Sequence, residues 1–229
     1  RLQCDYIDLI MIHAPADDTP LEESAEALQR LKERGLVKSI GVCNVTGEEL
    51  SRYSSGAEIQ FVQHRLSFIN RSVNGDLSTV MHRVGARFIA HQVLERGLLT
   101  DRGVRLRSTD DIRAGKPEFR RDRSDWLASS VIPPVRTLAG LNGLTVEALM
   151  TGWVLHHPQV ACAQLGASDA RQAALLPTYA RDLSPHVDRE LEAIYSQAED
   201  AARDAGSRSV RDFLGITDYD GNSGRPSGR

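Results

Sequence analysis

Short aliphatic segments alternate with amphipathic helical segments along most of the chain, and this alternation is the feature that most constrains the fold. The first aliphatic segment, residues 6–13, is apolar at nearly every position, which is typical of a parallel strand covered on both faces. Strands that alternate with helices predict a parallel sheet with right-handed crossovers. The predicted strands are residues 6–13, 37–43, 59–63, 87–91 and 160–164.

The helical segments carry apolar spacing on one face and boundary residues at their ends. In the segment 19–35, Thr19 is a favourable N-cap, Glu22 completes a capping box, and Gly35 is expected to end the helix. The adjacent prolines Pro133-Pro134 are expected to split a later helix. The other predicted helices are residues 47–53, 76–84, 125–139, 145–156, 169–176 and 185–205.

Two architectures fit this order of elements, an open doubly wound sheet and a (β/α)₈ barrel. No GxGxxG motif follows the first strand, which disfavours a dinucleotide-binding Rossmann domain. A barrel needs eight strands in about 250 residues, so five strands would leave it incomplete. We expect one α/β unit over residues 1–205 and a polar C-terminal segment, 206–229, that includes a disordered tail. The polar stretch 102–124 is expected to be a mobile loop over a site.

Composition limits the classes of partner. The net charge of −3 and the isoelectric point near 6.2 give no basis for nucleic acid or an anionic membrane as partner. No apolar stretch approaches the roughly 20 residues of a membrane-spanning helix. Three cysteines, far apart and without a CxxC pair, predict a reducing, cytoplasmic setting. Oligomeric state has no signal in the sequence.

Polar or ionisable side chains end all five predicted strands. Because reactive groups of parallel α/β folds collect at the carboxyl ends of strands, these side chains predict one shared site. Imidazole and thiolate groups suit Zn²⁺, so a metal centre is an alternative, although strand order does not guarantee tetrahedral convergence. Each residue also has a structural alternative, such as an Asx turn or a buried thiol. The strand-end residues are His13, Cys43-Asn44, Gln63-His64, His91-Gln92 and Gln164.

Several separated motifs resemble those of aldo-keto reductases, in particular the bacterial, NADP-type, single-domain branch. The resemblance covers residues 1–195 and implies a (β/α)₈ TIM barrel of which this chain is the C-terminal portion, without the first three strands. It implies an oxidoreductase that transfers hydride between NAD(P)H and an aldehyde or ketone, or oxidises the alcohol. The motifs are "DYIDLIMIHAP", "LVKSIGVCNV", "VQHRLSFINR", "LERGLLT" and "GASDARQ".

The resemblance also implies roles for individual residues. His13 matches the catalytic histidine that orients the substrate carbonyl and supports proton transfer. The implied cofactor is NADP(H), with NAD(H) as the alternative, and the partner is a small carbonyl or alcohol substrate. Matching positions would bind the nicotinamide carboxamide and ring, the pyrophosphate and the adenosine, in that order along the chain. The implied cofactor-binding residues are Cys43, Asn44, Gln63, His91, Gln92, Leu94, Arg96, Gly97, Gly166, Ser168 and Gln172.

Two hypotheses of different classes follow. The family's aspartate, tyrosine and lysine are expected upstream of Arg1, so the chain alone is expected to be inactive as an enzyme. The second hypothesis is a degenerate, non-catalytic binding or interaction module. It is favoured by the departures from the family pattern at His91, Ser168, Leu175 and Leu176.

Overall fold

The computed structural model describes residues 3–16, 18–71, 73, 75–103, 106 and 110–217. Within these ranges the strands are β1 (Ile7–Ile12), β2 (Val37–Cys43), β3 (Ile59–Arg65), β4 (Arg87–His91) and β5 (Val160–Ala163). The helices are α1 (Leu21–Glu33), α2 (Gly47–Gly56), α3 (Asp76–Val84), α4 (Arg121–Ser130), α5 (Ile132–Leu141), α6 (Val146–Leu155), α7 (Ala170–Leu175), α8 (Pro185–Asp204) and α9 (Val210–Leu214). Short 3₁₀ turns cover Glu95–Gly97, Pro117–Phe119 and Leu176–Tyr179. The predicted alternation of strands and helices is therefore confirmed.

The five strands form one parallel sheet in the order β1-β2-β3-β4-β5. Each strand pairs with its neighbour in sequence, and the order never reverses. A doubly wound sheet needs a reversal at its switch point, so that alternative is excluded. The sheet is open in the described part of the chain, with β1 and β5 at its edges. The arrangement is that of a partial (β/α)₈ barrel with five β/α units, as the sequence predicted.

The two faces of the sheet differ in burial because side chains alternate along each strand. One face packs against the helices, and its central side chains are fully buried (Ile40, Val42, Val62, Phe88 and Ala90). The opposite face is only half-buried at Met11 and Phe61. A Cβ at Gly41 would lie 2.7 Å from Met11 Cε, so this glycine makes room for the methionine on that face.

Helix α1 begins one residue later than the capping prediction required. Its N-cap is Pro20, no side chain caps it, and the Thr19 hydroxyl instead donates to Asp18. The predicted Thr19–Glu22 capping box is therefore wrong, because the helix starts at Leu21. Gly35 does end the helix as predicted, with a positive φ of 73° that glycine adopts without strain.

The paired prolines separate α4 from α5, but the break lies before them. Helix α4 ends at Ser130, and Pro133 and Pro134 lie in the first turn of α5. Proline is tolerated there because the first backbone N–H groups of a helix have no intrahelical acceptor. Helix α4 also begins at Arg121, inside the stretch expected to be a loop.

The C-terminal elements pack onto the barrel units. Arg71, in the loop after β3, forms an ion pair with Glu192 of α8 at 2.7 Å and stacks 3.5 Å above the Tyr195 ring centroid. Beyond residue 205, Val210 and Leu214 of α9 are fully buried. The domain boundary at residue 205 remains a prediction, and the expected disordered tail, residues 220–229, lies outside the described residues.

In the described residues no individual helix has the length and apolar character to cross a membrane. One bent pair, Arg121–Leu141 with Val146–Leu155, meets both criteria jointly, by length and composition only.

Two glycine-to-alanine substitutions are expected to change stability in opposite directions. A Cβ at Gly56 would lie 2.6 Å from the Glu22 carbonyl oxygen of α1, so Gly56→Ala should destabilise the chain by about 1–3 kcal/mol. Gly140 has no atom within 4 Å of an added Cβ and lies in α5, so Gly140→Ala should stabilise by about 0.5–1 kcal/mol. Urea unfolding of both variants measures the difference, and equal effects would show that α1 and α2 do not pack closely.

Candidate active site

The carboxyl end of the sheet carries a group of polar side chains linked by hydrogen bonds. His13 follows β1, Asn44 follows β2, Gln63 lies near the end of β3, His91 ends β4, and Gln164 follows β5. Parallel pairing places all of these positions at one end of the sheet, as the strand-end rule predicted. Hydrogen bonds then join residues that are up to 101 positions apart in the sequence.

Asn44 joins three strands. Its side-chain Nδ2 donates to the His13 carbonyl oxygen at 3.0 Å, and its backbone N–H donates to the Gln63 carbonyl oxygen at 2.9 Å. Because a carbonyl oxygen only accepts, the first bond orients the carboxamide with Oδ1 toward His91 Nε2, at 3.3 Å. His91 must therefore donate from Nε2. Asn44 has a positive φ of 56°, a conformation that asparagine tolerates better than most residues.

His91 is held in its neutral form. Burial is the main cause, and the positive charges of His64, Arg65 and Arg96 add to it, so that the pKa of His91 falls from 6.5 to about 4. A neutral imidazole can stack on an aromatic ring, and it does not repel a ring that carries a positive charge. This is compatible with the cofactor contact that the resemblance implies for His91.

A row of hydrogen-bonded side chains, Cys43, Gln63 and Gln164, also crosses the sheet at its carboxyl end. The Cys43 thiol donates to Gln63 Oε1 at 3.3 Å, and Gln63 Nε2 donates to Gln164 Oε1 at 2.6 Å. Burial raises the pKa of the Cys43 thiol to about 11, so it keeps its proton at neutral pH. Cys43 is therefore a protonated hydrogen-bond donor in this network. Among the described residues, no group of three or more His, Cys, Asp or Glu side chains could hold a metal ion.

The loop after β4 adopts an unusual backbone. Gln92, Glu95 and Arg96 all have positive φ, between 46° and 55°, and Gly97 has a φ of 102°. Such conformations cost free energy in non-glycine residues and tend to occur at functional sites. The Gly97 amide donates to the Leu94 carbonyl oxygen at 2.8 Å, and Gln92 Oε1 is buried without a hydrogen-bond partner. The loop thus presents one unpartnered acceptor in a strained turn.

A buried ion cluster holds this loop against the end of β3. Arg65 contacts the carboxylates of Glu95 and Glu118, and Arg96 contacts Glu118 at 2.7 Å. The Ser67 hydroxyl donates to Glu95. The side chains of Glu95 and Glu118 are 0% and 3% exposed, so their charges depend on these partners.

The ion cluster was not predicted, although the sequence held part of its signal. Arg65 and Glu95 stand inside apolar runs, "VQHRLSFI" and "VLERGLL", where a charge is expected to be buried and paired. Glu118 lies in a polar stretch and stands out by no pattern. Its segment contacts the loop after β4, because Arg113 Nη1 also donates to the Arg96 carbonyl oxygen at 3.1 Å.

Two of the residues expected at the adenosine end, Gly166 and Ser168, lie in an exposed turn before α7, and the third, Gln172, lies in the first turn of α7. The Ser168 amide donates to Gln172 Oε1 at 2.9 Å, and the Gln172 amide donates to Asp169 Oδ1 at 2.8 Å. Gly166, Ser168 and Gln172 are all exposed. The turn is therefore ordered by its own hydrogen bonds and open to a ligand.

Comparison with known proteins identifies the family of this site. Residues 1–194 match the sequence model of the Aldo/keto reductase family. The chain belongs to the aldo/keto reductase family. The aldo-keto reductase YhdN of Bacillus subtilis is 28% identical over 178 residues, which is 77% of this chain and 54% of that protein. The NADH-specific methylglyoxal reductase of Escherichia coli is 27% identical over 175 residues, 75% of this chain and 53% of that protein.

Solved structures agree with the family and with the partial barrel. The glycerol dehydrogenase AKR11B4 from Gluconobacter oxydans superposes with a TM-score of 0.78 at 27% identity, covering 86% of this chain and 60% of that chain. The aldo-keto reductase AKR11C1 from Bacillus halodurans, at 21% identity and a TM-score of 0.65, shares the fold. This chain spans about half the length of the curated relatives it matches.

The carboxamides of Asn44 and Gln63 have the chemistry to bind a nicotinamide cofactor, the class that aldo/keto reductases use. The carboxamide nitrogens of Asn44 and Gln63 each carry a second N–H besides the one in the bonds above. These second N–H groups are donors for a ligand that itself carries a carboxamide. In the loop after β4, by contrast, the charge of Arg96 is already balanced by Glu118.

Removing one carboxylate of the buried cluster is expected to destabilise this aldo/keto reductase strongly. Glu95→Gln leaves Arg65 buried with one fewer anion, and breaking a buried ion pair costs about 3–5 kcal/mol. Urea unfolding measures the loss. The matched control is Glu22→Gln, which breaks the exposed pair with Arg52 and should have a much smaller effect. Equal losses in the two variants would show that the cluster is not buried in solution.

The depressed pKa of His91 predicts a pH dependence of stability. Between about pH 6.5 and pH 4 the unfolded chain binds a proton at His91 that the folded chain does not. The contribution of His91 is therefore fully present above pH 6.5 and is lost as pH falls toward 4, by up to about 1.4 kcal/mol per pH unit. The free energy of unfolding, measured in urea from pH 4.5 to 7.5, should change less steeply with pH in His91→Phe than in the unchanged chain. The same pH dependence in both would contradict the assignment.

Proposed function

We propose that this chain supplies the cofactor-facing part of an NAD(P)(H)-dependent oxidoreductase. Hydride would pass between the nicotinamide and the carbonyl of an aldehyde or ketone, or from the alcohol in the reverse direction. The observation that carries the proposal is the hydrogen-bonded group of His13, Asn44 and Gln63 at the carboxyl end of the sheet. Family membership supports the same class of reaction.

The nicotinamide end would be held by two oriented carboxamides. Asn44 and Gln63 are proposed to bind the carboxamide of the cofactor through their second N–H groups, and Cys43 supports Gln63. The neutral His91 ring is proposed to lie against the nicotinamide. His13 is exposed and next to Asn44, where it is proposed to orient the substrate carbonyl and support proton transfer.

The remaining cofactor contacts are proposed along the loops that follow β4 and β5. Leu94, Arg96 and Gly97 would lie along the pyrophosphate, and the exposed residues Gly166, Ser168 and Gln172 would receive the adenosine. We propose NADP(H) as the cofactor, with NAD(H) as the alternative. Two observations support the alternative: Ser168 carries no charge for a 2′-phosphate, and the Escherichia coli relative is named NADH-specific.

Turnover by residues 1–229 alone is not expected. None of the first five residues after any of the five strands is a tyrosine or a lysine. These strand-end segments therefore supply neither a phenol nor an ammonium group as proton donor. The cytoplasm is the proposed location, and the three cysteines are free thiols in the structure, which is compatible with a reducing compartment.

A non-catalytic binding module is the second candidate. It is favoured by the way the polar groups satisfy one another, since Asn44 binds His13 and His91 while Gln63 binds Cys43 and Gln164. A cofactor would have to compete with part of this network. Cofactor titration separates the two candidates.

Nicotinamide cofactor is expected to bind the chain through the two carboxamides. Titration with NADPH and with NADH, followed by cofactor fluorescence, should show saturable binding in the unchanged chain. Asn44→Ala and Gln63→Ala should each weaken it by about tenfold, the value of one hydrogen bond of about 1.4 kcal/mol. The control is Gln29→Ala, whose amide bonds Glu33 and the Glu58 backbone N–H before the amino end of β3, and it should leave the affinity unchanged.

The same preparations test the rest of the proposal. No NADPH oxidation is expected with a panel of aldehydes and ketones, and turnover that His13→Ala abolishes would show that a proton donor is present after all. No saturable binding of either cofactor would favour the non-catalytic module instead.

A further inference from the structure

Gln63 is the only one of the proposed nicotinamide-binding carboxamides whose two ends are both fixed by side chains of other strands in the described part of the chain. On one side its oxygen accepts from the Cys43 thiol at 3.3 Å, across the β2–β3 pairing in which these two residues are register partners. On the other side its nitrogen donates to Gln164 Oε1 at 2.6 Å, beyond the intervening strand β4. The carboxamide is thus held from both directions across the sheet.

We propose that Gln164 and Cys43 are positioning residues that hold the Gln63 carboxamide in one orientation, and so fix which of its atoms a nicotinamide carboxamide meets. The inference rests on the proposed function, because it assigns Gln63 to the cofactor.

The orientation follows from the asymmetry of the amide group. A carboxamide carries donors at one end and an acceptor at the other. If the Gln63 carboxamide turned over, its oxygen would face Gln164 Oε1, so Gln164 would have to turn over as well. The Cys43 sulfur would then have to accept a hydrogen bond, for which a thiol is a weak partner. The Cys43 end therefore selects the observed orientation, and Gln164 holds it by accepting from Gln63.

Cys43 remains a hydrogen-bond donor to Gln63 over the whole physiological pH range. It is buried, so its thiol stays protonated and does not become a thiolate that could only accept. Gln164 is exposed, so its bond to Gln63 competes with water in the absence of a ligand. For this reason, we expect the fold to tolerate the replacement of the Gln164 side chain.

Ordering Gln63 in advance should increase affinity for the cofactor. A side chain that is already immobilised loses less conformational entropy on binding, and the saving for one such side chain corresponds to about three- to tenfold in affinity. An oriented carboxamide also favours one rotation of a ligand amide over the other, because donors must meet acceptors.

The test combines two variants of Gln164 with two readouts. Gln164→Leu has a similar volume and removes the acceptor, whereas Gln164→Glu keeps an acceptor at the same position. The first readout needs no cofactor: ¹⁵N-edited NMR of the free chain should show a side-chain NH₂ pair, identified by its loss in Gln63→Leu, that is shifted from the solvent position. The second readout is the affinity for NADPH and NADH.

The expected result is that Gln164→Leu returns this NH₂ pair to the solvent position and weakens cofactor binding three- to tenfold, while Gln164→Glu retains both properties. Cys43→Ser keeps a donor and should behave like the unchanged chain, and Cys43→Ala should behave like Gln164→Leu. Urea unfolding of each variant checks that the fold is intact.

Three results would overturn the proposal. A solvent-like NH₂ pair in the unchanged chain would show that Gln63 is not held. An affinity unchanged in Gln164→Leu but weakened in Gln63→Ala would remove the positioning role and leave the proposed function standing. Absence of cofactor binding in every chain, with the NH₂ pair still shifted, would remove the proposed function itself and the role of Gln164 with it.

Discussion

Parallel hydrogen bonding between consecutive strands is the constraint on which the rest of this structure depends. It continues beyond the strand ends: the backbone N–H of Asn44 donates to Gln63, that of Leu66 to His91, and that of Gln164 to Ala90. The residues that enter the site are therefore part of the sheet's own ladder. Side chains placed at strand ends are held more precisely than side chains on loops.

Local backbone conformation then turns the chain at the places where it leaves the sheet. Asn44 and Gln92 each directly follow a strand, and both have positive φ values near 55°. This conformation makes a sharp turn and brings the next residues across the strand ends. At Asn44 the turn lets one carboxamide reach both His13 and His91.

Buried charges order the loop after β4. Arg65 lies at the end of β3, Glu95 in the loop after β4, and Glu118 in the segment that precedes α4. Because the carboxylates are buried, each conformation of this loop that separates them from Arg65 is penalised by an unpaired charge. The same arginines, together with burial, keep His91 neutral. Thus one ion cluster shapes the loop after β4 and adds to the burial that keeps His91 neutral.

The sequence by itself determined the order of strands and helices, the parallel sheet, and the positions of the strand-end residues, because hydrophobic periodicity and strand ends are local properties. The family pattern also predicts His13, Asn44 and Gln63 as site residues, and that assignment stays a prediction. Helix α1 shows the limit of local signals, since Thr19 has the right neighbours for a cap and still lies outside the helix.

Only the tertiary structure decided which strand-end side chains meet. The bond between Gln63 and Gln164 spans 101 residues, and the pairing of Arg65 with Glu118 spans 53. Burial decided the rest, because a thiol, an imidazole and two carboxylates take their protonation states and partners from the surfaces packed around them. No local pattern encodes that packing, which exists only once the strands have come together.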